Sequence, residues 1–190
     1  MLTKVENQTK NNFIMKKTIS LIAMLVLAVI FTNDANAQEF DPIDKSPLDI
    51  ARYPYAWRNS DKVVRVTYSR PQLKGRSLGK LVPAGKKWRV GANEATEVTF
   101  YRDVTFGGKA VKAGTYTMYA IPGEKEWTIA LSSQLNVWGA YFHKDENDVV
   151  RVKGTVTKSD KTHEAFTMAF GDDMTMYMAF GDVMVSVPIE

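Results

Sequence analysis

The chain has 190 residues and a formal net charge of +4, from 25 lysines and arginines against 21 aspartates and glutamates. This length suits one domain of ordinary size with an additional segment. The basic residues are scattered rather than gathered into a stripe, and no segment has the pattern of a basic amphipathic helix. The composition therefore argues against a nucleic-acid-binding or membrane-surface protein.

An export signal is predicted close to the N-terminus. The positive segment 15–17 (MKK) precedes an apolar run from Ile19 to Phe31, and residues 35–37 (ANA) have the small-x-small pattern that signal peptidase accepts. The run is shorter than the roughly 20 apolar residues that a membrane-spanning helix needs, which favours cleavage before Gln38 over an anchor. Translation is expected to start at either position 1 or position 15.

The absence of cysteine has two consequences for an exported chain. No disulfide can form, so the stability of the domain must come from its core. A lipoprotein would also need a cysteine directly after the cleavage site. We therefore expect a mature chain without a lipid anchor, located in the periplasm or outside the cell.

Strand patterns run through most of the remaining sequence. Residues 38–60 carry three prolines and no steady period, which predicts an extended lead-in. Beyond them, β-branched and aromatic residues alternate with polar ones, as in half-buried strands. The Gly107-Gly108 pair predicts a hairpin turn, because glycine takes positive φ without steric cost. A loop is expected over 131–149. The predicted strands before this loop are 62–69, 96–102, 116–121 and 127–131.

The C-terminal third predicts a meander of four strands with turns between them. Residues 1–37 are expected to be an upstream extension plus a cleaved signal peptide. Residues 61–190 are expected to form one all-β domain, an antiparallel β-sandwich or a jelly-roll-like barrel. The four strands are 149–157, 164–170, 174–180 and 183–189. The turns are Lys158-Ser159-Asp160, Gly171-Asp172-Asp173 and Gly181-Asp182.

Several strings in the chain are characteristic enough to compare with known families. They are YSRP (68–71), GR (75–76), LVP (81–83), WRVGANEAT (88–96), AGTYTMYAIPG (113–123), Trp127 and Trp138-Gly139. Together they resemble domain-of-unknown-function family 2911, over most of Tyr68 to Glu190. The resemblance implies an exported bacterial protein with a β-rich domain, and it implies no established activity.

The string WRVGANEAT also contains the main candidate site. Arg89 offers a planar fork of donors for a carboxylate or phosphate, and Glu94 can accept a hydrogen bond or carry a proton. Asn93 can donate and accept at once. Together with the ring of Trp88, and with Arg70 as a further cation, this set would suit the hydroxyls and the apolar face of a sugar.

A purely structural explanation of the same residues is the alternative. Arg89 and Glu94 would pair with each other or with nearby charges, because a partly buried charge without a partner is costly. Gly91 would then mark a bend or bulge, and Asn93 would cap a turn. The nearby charges are Arg70, Arg76 and Asp103.

No metal site and no cofactor is expected. The two histidines, His143 and His163, lie far apart in sequence and are predicted to be solvated, since a zinc site gathers three or four ligands. The acidic run 145–148 lacks the glycine and glutamate placement of a calcium loop and predicts a solvated turn. The methionines at 174, 176 and 178 alternate at strand spacing, which predicts core residues.

Three functions follow from the sequence as hypotheses. The first is an exported, non-catalytic β-domain that binds a small polar ligand, a glycan or an envelope partner through residues 88–96. The second is a hydrolase acting on glycan or envelope material with Glu94 as acid or base, which would need a second carboxylate about 5 to 10 Å away. The third is a structural or assembly module. The oligomeric state is not predicted.

Overall fold

The computed structural model describes residues 13–22, 24 and 39–190. The chain divides after Pro42, and every described strand lies in the second unit, Ile43–Glu190. Residues 13–22 and 24 are helical. The predicted cleavage motif lies outside the described residues, so it stays a prediction. Among the described residues, no helix has the length and apolar character needed to span a membrane.

Seven strands form one antiparallel sheet in the order β1-β2-β3-β6-β7-β8-β9, and β4 and β5 form a separate two-stranded sheet. This confirms the predicted all-β, antiparallel, single-domain fold class. The strands are β1 Leu48–Tyr53, β2 Val64–Ser69, β3 Glu97–Phe100, β4 Val104–Phe106, β5 Lys109–Val111, β6 Gly114–Ile121, β7 Glu126–Ser132, β8 Asp148–Phe170 and β9 Met176–Val187. A one-turn helix, Leu78–Leu81, follows β2, and a 3-10 turn, Asp145–Asn147, precedes β8.

The large sheet curls so that β2 and the segment after it reach the C-terminal half of β8. The segment after β2 pairs with the C-terminal half of β8 through an antiparallel bridge between Gln72 and Ala165. The hydroxyl oxygen of Tyr68 accepts a hydrogen bond from the backbone N–H of Met168 at 3.1 Å. Curling gives the sheet one concave inner face, which encloses the core, and one outer face.

Strand periodicity decides which residues enter the core. In β2, Val64 and Val66 are completely buried, whereas Arg65 between them points to the outer face and is exposed. Burying one such valine contributes roughly 1.5–3 kcal/mol. In β9, Met176 and Met178 are buried at 0% and 2% exposure, which confirms their predicted core role. Met174 lies before the strand with a φ of 63° and is only half-buried against the core, so the predicted strand alternation does not extend to it.

The hairpin β4–β5 has the predicted turn. Gly107 and Gly108 have φ values of 53° and 80°, as a two-residue hairpin turn of the favoured type requires. A Cβ atom on Gly107 would lie 2.7 Å from the Cβ of Val152 in β8, so the turn also sits tightly against the large sheet. Phe106 bridges to Ile189 and is fully buried, which fixes the small sheet on the inner side.

The predicted four-stranded C-terminal meander is wrong. Residues 149–157 and 164–170 belong to the single strand β8, and β9 likewise runs through Gly181 without reversing. The pairing of β8 with β9 shifts register between Lys158 and His163 and again before Thr167. Bulges and turns use the same polar and glycine residues, so the sequence could not distinguish a bulged strand from a reversal.

The boundary of the domain also differs from the prediction. The sheet begins at Leu48 of β1, inside the segment 38–60 that was predicted to be an extended lead-in. This strand lies at one end of the strand order and pairs with β2 alone, and edge strands tolerate flanking prolines such as Pro47 and Pro54. Proline density is therefore a poor boundary signal here.

Candidate functional site

The segment 88–96 is a compact bend that packs against the end of β2. Val90 and Asn93 have φ values of 55° and 57°, a backbone conformation that is unusual for a β-branched residue such as valine. The Thr96 hydroxyl donates to the carbonyl oxygen of Val90 at 2.6 Å and holds this bend. A Cβ on Gly91 would lie 3.2 Å from the carbonyl oxygen of Ser69, so glycine permits the close approach to β2.

Trp88 is part of the core. It is 7% exposed, and its ring centroid lies 5.0 Å from that of Phe166 and 6.0 Å from that of Trp127, both edge to face. A third ring, Phe180, stacks at 6.5 Å. These aromatic contacts occupy the indole, so it has no exposed face on which a sugar could stack.

The two candidate arginines differ in their contacts: Arg70 has hydrogen-bond and ion-pair partners, and the Nε atom of Arg89 has none. Arg70 forms an ion pair with Asp49 at 3.0 Å and donates to the carbonyl oxygen of Phe166, so it ties β1 to β8. Arg89 is half-buried, and its Nε atom is buried without a hydrogen-bond partner. Within residues 39–190 neither Arg89 nor Glu94 forms an ion pair, so the pairing of these two predicted by the structural alternative is wrong.

Glu94 lies directly opposite Trp138 in a short antiparallel ladder. The backbone N–H of Ala95 donates to Val137 at 2.8 Å, and that of Gly139 donates to Asn93 at 2.9 Å. This hydrogen-bond pattern makes Glu94 and Trp138 a non-hydrogen-bonded pair, the type in which opposite side chains approach most closely. The Glu94 residue is exposed and Trp138 is 56% exposed, so a carboxylate and an indole stand side by side at the surface.

A groove of about 260 Å³ begins at Glu94 and runs along the outer face of the sheet. Its wall includes Asn136 and Val137, the residues directly before Trp138, whereas Trp138 itself stands beside the groove and does not line it. Thr67 and Ser69 of β2 and Glu97 of β3 point into it, since alternate residues of a strand share one face. The Glu97 carboxylate accepts the backbone N–H of Asn136 at 2.9 Å and thereby fixes the groove wall. The sequence missed Trp138 because nothing local connects the 131–149 loop with the 88–96 segment.

His143 is the centre of a separate, buried charge network. Its side chain is fully buried, and Nε2 lies 2.5 Å from a carboxylate oxygen of Asp148, itself 5% exposed. Arg151 donates to Asp148 at 2.6 Å and to Asp145 at 2.9 Å, and Lys87 donates to Asp145 at 2.7 Å. The prediction that His143 is solvated is therefore wrong, because the loop folds it against the ring of Tyr119, with ring centroids 4.1 Å apart. The predicted solvated turn over 145–148 is also wrong for Asp148, whose carboxylate is buried against His143.

The network shifts the pKa values of three groups, and the hydrogen bonds to Asp145 and Asp148 raise that of Arg151. Hydrogen bonds from Lys87 and Arg151 lower the pKa of Asp145 to about 2. Burial, with a contribution from the charge of Asp148, raises the pKa of Tyr119 to about 12. Ligand atoms of His143, Asp145 and Asp148 lie within 4.8 Å of one another, but the two basic side chains already neutralise both carboxylates. A cation would have to displace them, so the network braces the loop.

The fold and these sites can be compared with known proteins. A family model described as "Protein of unknown function (DUF2911)" matches residues 49–189. No curated protein and no solved structure gives a significant match. The matched range contains the segment 88–96, the Glu94–Trp138 pair and almost the whole of the nine-stranded domain. The chain therefore belongs to DUF2911, a family of proteins of unknown function.

Proposed function

We propose that the protein is an exported, non-catalytic domain that binds a glycan or a similar polyhydroxylated ligand in the groove beside Glu94 and Trp138. The observation that carries the proposal is the exposed Glu94, which lines the groove, directly opposite the exposed Trp138 in the strand pairing beside it. Export rests on the predicted signal peptide of residues 1–37.

The chemistry of the pair matches the two sides of a sugar ring. A carboxylate accepts hydrogen bonds from two neighbouring hydroxyls, and an indole offers a flat apolar surface for the C–H face of the ring. Within residues 39–190, no hydrogen bond or ion pair occupies the carboxylate of Glu94, so its acceptor sites are free. The half-buried Thr67 lines the adjoining wall and adds a hydroxyl that can donate and accept, whereas Ser69 in the same wall is only 2% exposed.

The site is also held in place before a ligand arrives. The ladder of residues 93–95 with 137–139 fixes Trp138 from one side. The ion pair of Lys87 with Asp145 fixes the other end of the same loop. Ordering the backbone that carries both residues in advance lowers the entropy lost on binding, which favours affinity for a weakly interacting ligand such as a sugar.

Calorimetric titration with neutral oligosaccharides, a chitotetraose and a cellotetraose, tests the proposal. We expect at least one to bind, and we expect Trp138→Ala and Glu94→Gln each to weaken binding at least tenfold. Phe40→Ala and Glu124→Gln are matched controls, since both residues are exposed and line neither groove. Absence of binding to both sugars, or binding that survives both groove variants, would refute the proposal and favour a structural module.

A hydrolase is the second candidate, because Glu94 and Glu97 line the same groove. Glycosidases use a pair of carboxylates across the scissile bond. Release of reducing ends from the same two oligosaccharides, lost in Glu94→Gln while binding persists, would establish hydrolysis. Binding without release at any enzyme concentration would leave the non-catalytic proposal standing alone.

A further inference from the structure

A second groove lies on the same outer face, toward the opposite ends of β1, β2 and β3. Its volume is about 510 Å³, and its lining includes Arg52, Arg65, Trp57 and Tyr101. Arg52 of β1 is directly opposite Arg65 of β2 in the ladder. Directly opposite residues share one face, with Cβ atoms roughly 4.5–5.5 Å apart, so two guanidinium groups stand together at the surface.

This arrangement breaks a rule of strand pairing. Like charges placed directly opposite each other destabilise a sheet. In the part of the chain that the structure describes, neither Arg52 nor Arg65 has an acidic partner within ion-pair distance. The one carboxylate of this groove, Asp61, is hydrogen-bonded to Arg102. A pair of like charges that no described carboxylate offsets is a local conflict of the kind found at functional sites.

The aromatic side chains of this groove are positioned by defined contacts. Trp57 is 77% exposed and Tyr101 is 52% exposed. The ammonium group of Lys62 donates to the carbonyl oxygens of Pro54 and Ala56 at 2.7 and 2.8 Å, which fixes the loop that carries Trp57. The Arg58 guanidinium carbon lies over one face of the Trp57 indole, 4.6 Å from the ring centroid. A ligand can therefore stack only on the opposite face of this indole.

We propose that Arg52 and Arg65 form an anion-binding subsite for a carboxylate or phosphate group carried on a sugar, with the sugar ring against Trp57 or Tyr101. Each guanidinium presents a planar fork that matches the oxygens of such a group, and an anion between the two forks removes their mutual repulsion. The subsite involves no residue of the Glu94–Trp138 groove, so it stands independently of the function proposed above.

Calorimetric titrations at fixed ionic strength test this subsite with galacturonate, glucose 6-phosphate and neutral galactose. We expect one of the two anionic sugars to bind at least tenfold more tightly than galactose, and its identity distinguishes a carboxylate from a phosphate source. Arg52→Gln and Arg65→Gln should each weaken that binding at least tenfold. Trp57→Ala should weaken binding of the anionic sugar by a smaller factor.

Three controls separate this subsite from general electrostatics and from the other groove. Lys109→Gln removes an equal charge from an exposed position on β5 and should leave binding unchanged. Arg65→Lys keeps the charge without the fork and should still lose affinity. Glu94→Gln should have no effect. Binding of neither anionic sugar, binding unchanged in both glutamine variants, or equal loss in Lys109→Gln would overturn the proposal.

A thermal measurement gives an independent readout. The anion is phosphate or acetate, according to which anionic sugar binds, and chloride of equal ionic strength is the reference. Because phosphate stabilises folded proteins in general by exclusion from their surface, the readout is the difference from a variant. The melting temperature of the wild type should rise more in the matching anion than that of Arg65→Gln, because the anion binds the folded state and removes the arginine repulsion. In chloride, the melting temperature of Arg65→Gln should equal or exceed that of the wild type. A melting temperature of Arg65→Gln well below the wild type would show that the arginine pair is structural and would contradict the proposal.

Discussion

At the scale of single residues, side chains of the same type have separate tasks in this protein. Trp88 packs in the core, whereas Trp138 stands at the surface beside Glu94. Arg70 closes the sheet through Asp49, whereas Arg65 faces another arginine. The residue type alone does not predict whether a side chain is buried, paired or exposed, because its contacts come from distant parts of the chain.

The Asp145 ion pairs predict how the protein responds to acid. Hydrogen bonds from Lys87 and Arg151 hold the pKa of Asp145 at about 2, below its ordinary value of 3.8. A depressed folded-state pKa contributes stability that is present above the unfolded-state pKa and is lost as the pH falls through the folded-state pKa. Asp145→Asn should therefore lower the melting temperature at pH 7. Between about pH 4 and pH 2, the melting temperature of the variant should fall less steeply than that of the wild type.

Thermal melts from pH 2 to pH 7 measure this effect. Glu146→Gln is the matched control, because this neighbouring carboxylate is exposed and comes no closer than 3.9 Å to the ammonium group of Lys144. A pH profile of Asp145→Asn that parallels the wild type would show that the lowered pKa does not contribute to stability.

At the scale of elements, local chemistry predicted some features and failed for others. The Gly107-Gly108 turn was predictable because positive φ at both positions is a property of two residues alone. The continuity of β8 was not, because a bulge near Lys158 depends on pairing with β9. The edge strand β1 was missed for a similar reason: its partner β2, rather than its own composition, makes it a strand.

The two glycines of the β4–β5 turn give a paired prediction. Both have positive φ, so alanine at either position should cost about 1 kcal/mol of unfolding free energy. At Gly107 the new Cβ would also lie 2.7 Å from Val152, whereas at Gly108 it would meet open space. Gly107→Ala should therefore be more destabilising than Gly108→Ala by at least about 1 kcal/mol, as overpacking typically costs.

Urea denaturation of the two variants makes the comparison directly. Equal midpoints would show that the hairpin can move away from β8 without loss, which contradicts the tight packing of the small sheet described above.

At the scale of the whole molecule, curling of the sheet gives the protein one outer face with two different ends. The strands β1, β2 and β3 carry the arginine groove at one end and the Glu94–Trp138 groove at the other. The sequence correctly predicted the fold class and the family. It could not predict Trp138 or the arginine pair, because each depends on a register between segments remote in the chain.

The most direct test of a ligand-binding outer face uses the four tryptophan indole N–H signals in a ¹⁵N–¹H NMR spectrum of the protein. During titration with the neutral oligosaccharide that binds, the Trp138 signal should shift, and the signals of the buried Trp88 and Trp127 should stay in place. Assignment follows from the single tryptophan variants that fold. A Trp138 signal that does not move while the oligosaccharide binds would contradict the account.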